Sequence, residues 1–136
     1  MQFMIIVKGS KFSEAGVMPS EAQMAEMATF HEAMAKAGVL LDASGLHPSS
    51  KGVRIKYSGG KKTITDGPFT EAKELIAGFS IIQVKTREEA LEWARRFPAP
   101  QPDGEGEIEI RQIIELADLE PSESVERFKQ LEANKK

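Results

Sequence analysis

A chain of 136 residues, 40% hydrophobic and 29% charged, suits one domain with its own core. A formal net charge of −3 with no long run of like charge argues against nucleic acid as a partner. The absence of cysteine excludes disulfides, thiolate metal sites and a cysteine nucleophile, and agrees with a reducing cytoplasm. The first apolar run, Phe3–Val7, is too short for a signal-peptide core or a membrane span, and no basic segment precedes it. These features predict a soluble cytoplasmic protein with no membrane partner.

Gln2–Lys8 reads as a buried strand. Phe3, Ile5 and Val7 face one way, Met4 and Ile6 the other. Gly9–Pro19 reads as a loop. Ser20 and Gln23 have capping-box spacing and start a helix that Gly38 should end as its C′ residue. Met24, Met27, His31 and Met34 recur at steps of three and four and share one face. That methionine stripe is read as core packing rather than as a cofactor site. Val39–Leu46 follows as a second strand, and Pro48–Gly52 as a turn region.

Val53–Tyr57 and Lys62–Thr65 flank Ser58-Gly59-Gly60-Lys61, a hairpin pattern. The lysines beside Gly60 lack phosphate-loop spacing. Asp66-Gly67-Pro68-Phe69 makes a rigid corner, because Pro68 fixes its own φ and moves Gly67 out of the helical region. Thr70 is expected to cap a short helical turn running through Ile76. Ala77–Lys85 is the second strand apolar on both faces, with Phe79 and Ile81 on one side and Ile82 and Val84 on the other.

Thr86 and Glu89 form another capping-box pair and open a helix running to about Phe97, with Ala90, Trp93, Ala94 and Phe97 as its apolar face. Pro98–Gly106 is loop. Glu107–Leu116 alternates, with Ile108, Ile110, Ile114 and Leu116 inward. Pro121 starts a last short helix with Val125, Phe128 and Leu131 on one face, and Asn134–Lys136 are expected to fray.

The stretch Asp66–Phe79, DGPFTEAKELIAGF, resembles the signature of DGPF-type proteins in the YciI-like (YCII-related) family. Thr70 and Ala72 depart from the family's usual alanine and threonine. The resemblance runs from about Met1 to Leu116, leaving 117–136 as a C-terminal extension of a single domain, 1–136.

The element order is strand, helix, strand, hairpin, strand, helix, strand. It predicts an α+β, ferredoxin-like sheet with two helices on one face, an inserted hairpin and a short C-terminal helix. The resemblance implies the same fold, in its dimeric α/β-barrel form. A homodimer is also expected from the two doubly apolar strands, since two helices cover only one face of the sheet, the alternative being that the C-terminal helix folds back as the cover.

His31 interrupts the apolar helix face. It reads either as a neutral core histidine bonded to a backbone carbonyl or as a general acid/base in a cleft. The resemblance implies that a helix histidine pairs with an aspartate, which makes His31 and Asp66 the candidate catalytic pair. Asp66 also reads as a turn residue capping nearby amides. Asp42, Pro68 and Phe69 are the candidate substrate contacts. Ser44 stands where relatives carry an acidic residue before the Gly-Leu of this strand.

His47 reads as an exposed loop residue. A metal site from His31, His47 and Asp42 matches no tight-binding spacing, so neither metal nor cofactor is expected. Two functions remain open. One is a small cytoplasmic enzyme using His/Asp acid–base chemistry on a small molecule, lyase-like or isomerase-like as the resemblance implies. The other is a non-catalytic small-molecule-binding or regulatory module, which the resemblance links to sigma factors. Neighbouring genes for aromatic degradation would favour the first, and a lone sigma-factor gene the second.

Overall fold

The computed structural model describes residues 1–135. In chain order the elements are β1 (Gln2–Lys8), a short α1 (Lys11–Glu14), α2 (Glu21–Lys36), β2 (Leu40–Gly45), β3 (Val53–Ser58) and β4 (Lys61–Asp66). They continue with β5 (Ile76–Gln83), α3 (Arg87–Arg95), β6 (Ile108–Gln112) and α4 (Glu123–Ala133). The architecture is α+β. Four strands form one antiparallel sheet in the order β2-β5-β1-β6, and β3 and β4 form a separate two-stranded ribbon.

The caps explain where α2 begins and ends. Ser20 accepts from the Gln23 amide while the Gln23 side chain accepts from the Ser20 amide, at 3.2 and 3.0 Å. At the other end Gly38 takes φ +76°, and Val39 and Gly38 donate to the carbonyls of Met34 and Ala35, a Schellman ending. At α3 only half of the expected box forms. Thr86 accepts from the Glu89 amide, but the Glu89 carboxylate turns to the Lys85 amide.

One face of the main sheet carries the core. Phe3 lies opposite Ile82, and Ile5 lies opposite both Ser80 and Ile110. Over this face pack Phe30 and Met34 of α2 and Ala90 of α3, and these residues join Phe3, Ile5, Ile82 and Val84 in one buried cluster. Trp93 and Phe97 meet the Phe30 ring edge-on at centroid distances of 6.3 and 5.2 Å. On the other face Ile6 is buried and Met4, Phe79 and Ile81 are half-buried, so that face is not left bare within the single chain.

Several expectations are corrected. Phe30, not Met24, anchors α2; Met24 is half exposed. The loop after β1 holds α1, closed by reciprocal bonds between Ser10 and Ser13. Thr70 caps nothing: the turn after the corner is a 3-10 turn, Ala72–Glu74, with Thr70 Oγ1 directed to the Glu71 carboxylate. The last strand stops at Gln112, which leaves Ile114 exposed. In α4, Val125 is buried while Phe128 and Leu131 are exposed. Of the expected frayed end, Asn134 still donates to the Gln130 carbonyl, and Lys136 lies outside the described residues.

Candidate functional site

A cleft of about 600 Å3 opens beside α2 at one end of the main sheet. Met27 and His31 of α2 line it with Ser80 of β5, Phe12 of α1, His47 beyond β2 and Phe97 beyond α3. Most of its wall is apolar, with a few polar side chains, Ser80 and His31 among them, a pattern common to small-molecule sites.

His31 is held at both ring nitrogens. Nδ1 lies 2.9 Å from the Met27 carbonyl oxygen, one turn back on the same helix. A carbonyl can only accept, so Nδ1 carries a hydrogen. Nε2 lies 2.8 Å from Ser80 Oγ on the sheet below. With a neutral ring, the Ser80 hydroxyl donates to Nε2. With a charged ring, Nε2 donates and Ser80 accepts. A hydroxyl can do either by rotating, so both protonation states of His31 keep two hydrogen bonds. The edges of Phe30 and Phe97 fix the ring from the sides, at 5.5 and 6.2 Å between centroids.

Ser80 is the site residue that the sequence reading missed. It is only 2% exposed and sits between Gly78 and Ile82 on the helix-facing side of β5. The available signal was a single hydroxyl in an apolar register, which must find a partner once buried.

The structure thus pairs His31 with Ser80 and Met27 rather than with Asp66. Asp66 is exposed at the end of β4, opposite Val53, and is not part of the cleft wall. Asp42 is exposed on β2, opposite Ile81, with its carboxylate accepting from the Ala43 amide at 2.9 Å. Strand alternation puts Ala43, not Asp42, opposite Ser80. Pro68 and Phe69 also lie outside the cleft wall. Among the described residues no group of three His, Asp or Glu side chains is arranged to hold a metal ion.

The corner has a different task. Gly67 lies so close to the chain at Ser49 that an added Cβ would overlap the Ser49 carbonyl oxygen. The Phe69 amide donates to Ser49 Oγ at 2.9 Å. Ser49 in turn donates through its amide and its hydroxyl to the Glu14 carboxylate. The Arg54 guanidinium stacks on the Phe69 ring at 3.8 Å. The corner therefore ties the ribbon to the loop after β2 and to α1, and both of those elements line the cleft.

The sequence pattern of the YCII-related domain matches residues 1–117, which contain the cleft, His31, Ser80 and the corner. The chain belongs to the YCII-related family. An uncharacterized protein of Rhizobium meliloti strain 1021 is 30% identical over 93 residues, covering 68% of this chain and 74% of its own length. This YCII-related chain has no described helix long and apolar enough to cross a membrane.

Proposed function

We propose that this YciI-like chain, of the DGPF type, binds a small molecule in the cleft and uses His31 to exchange a proton with it. The observation that carries this reading is the Ser80 hydroxyl at 2.8 Å from Nε2 in the cleft wall, which accommodates a neutral and a charged ring alike. The His/Asp scheme is thereby replaced by a His/Ser one, with Asp66 assigned to the corner. Purified protein equilibrated with a metabolite mixture should retain one compound, and His31→Ala should release it. Retention unchanged in His31→Ala would refute the reading. A binding module without turnover is the second reading. It is favoured by both ring nitrogens already having protein partners. Conversion of the retained compound by the wild-type chain, absent in His31→Ala, separates the two.

We further infer a ferredoxin-like, homodimeric protein in which 117–136 is an extension. The strand order β2-β5-β1-β6 and the packing of α2 and α3 on one face support the fold. The β3–β4 ribbon supports the dimer. Val53, Ile55, Tyr57 and Ile64 share one of its faces and are 57, 48, 69 and 68% exposed. A lone two-stranded ribbon is marginal in water and needs cover. Lys51, Arg54, Lys56, Lys61 and Lys62 make this segment basic. Acidic residues dominate 103–126, which offers a second copy complementary charge.

A further inference from the structure

The charge of the cleft wall is opposite to that of the chain. The protein has 21 acidic and 18 basic residues, yet no aspartate or glutamate lines the cleft. Its ionisable lining is Lys8 of β1, His31 of α2 and His47 beyond β2. The acids on neighbouring elements are turned elsewhere. Glu14 of α1 accepts from Ser49, and Glu109 of β6, outside the wall, pairs with Lys8 at 3.7 Å. Glu32, next to His31 on α2, is exposed and is not part of the wall. Phe12, Met27 and Phe97 make the remaining surface apolar.

We propose that the cleft takes a small apolar carboxylate, bound together with a proton on His31. This rests on the reading of the cleft as the ligand site. When His31 is charged, Nδ1–H stays on the Met27 carbonyl and Nε2–H donates to Ser80 Oγ. The Ser80 hydroxyl hydrogen is then free to donate to a carboxylate oxygen. The bound anion and the imidazolium offset each other across one hydroxyl, and the apolar body of the ligand covers the aromatic wall. A carboxylate arriving in its ionised form draws the balancing proton from solution. An acid arriving protonated breaks its O–H bond, passes the proton to Ser80 Oγ, and the Ser80 hydroxyl proton moves to Nε2.

Benzoate, phenylacetate and 3-phenylpropionate, each against its own amide, provide the test, with benzylamine as the cationic control. Calorimetry in buffers of different ionisation heat reads affinity and proton uptake, and amide NMR reads the location. At least one carboxylate should bind at the cleft about tenfold or more tighter than its amide near pH 6. Its affinity should fall as the pH is raised, by up to about tenfold per pH unit, with uptake approaching one proton. His31→Gln, checked for folding by circular dichroism, should abolish that pH dependence. Amides binding as tightly as their acids, or benzylamine binding tighter, would overturn the carboxylate proposal and leave the cleft as a ligand site. If no probe of either charge moves the cleft resonances, both the proposal and the reading beneath it fail.

Discussion

His31 shows why a site can be half legible in a sequence. Its break in an apolar helix face was visible, and so was the need for a partner. Nδ1 is tied to a backbone carbonyl, and the ring also lines a cleft. Asp66 is the expected partner because the family resemblance implies a histidine–aspartate pair and Asp66 opens the signature corner. Ser80 is inconspicuous, and only the strand register places its hydroxyl under α2. Removing that hydroxyl strands Nε2 in a half-buried setting. Ser80→Ala should therefore cost about 1–3 kcal/mol in urea denaturation. Asp66→Asn, at an exposed position, should stay within about 0.5 kcal/mol of wild type. Gly67→Ala should cost at least as much as Ser80→Ala, because the Ser49 carbonyl occupies the space and must be displaced.

Among the elements, the caps of α2 were legible in the sequence, while the cap expected at Thr70 did not form, the box at Thr86 formed only by half, and the buried faces were read less well. Ser20, Gln23 and Gly38 act locally, so their spacing carries the geometry of α2. The buried stripe depends on what the helix meets. Met24 and Phe30 are six residues apart, or about 120° around a helix of 3.6 residues per turn, so both cannot centre on one sheet. The aromatic ring takes the core, beside Trp93 and Phe97. Phe30→Ala should cost about 3–5 kcal/mol. Met24→Ala should change stability by no more than about 0.5 kcal/mol. Equal losses in the two variants would reject this orientation of α2. The end of β6 was misjudged for a related reason: alternation continues in the sequence past Gln112, but the pairing with β1 ends one bond later, from the Ile113 amide to the Gln2 carbonyl.

At the scale of the whole molecule, the α+β class with an antiparallel sheet followed from the order of the elements. The surface that remains open did not follow. The second face of the main sheet was expected to be bare, yet Ile6 is buried there. Four exposed apolar side chains share one face of the β3–β4 ribbon instead, and both of its strands are exposed throughout. Sedimentation at micromolar concentration should give about twice the 15.0 kDa chain mass. Ile55→Asp with Ile64→Asp should give folded monomer, because neither side chain belongs to the buried cluster. A wild-type monomer would refute the dimer, and a dimer that survives the double substitution would place its interface elsewhere.

The His31–Ser80 pair carries the functional account, and the nitrogen resonances of the His31 ring test it most directly. Long-range nitrogen–proton spectra of the neutral ring should show the hydrogen on Nδ1 and an acceptor at Nε2. The Nε2 resonance and the ring titration should move in Ser80→Ala and stay unchanged in Asp66→Asn. A hydrogen on Nε2 in the neutral ring, or a titration that responds to Asp66→Asn and ignores Ser80→Ala, would contradict the account.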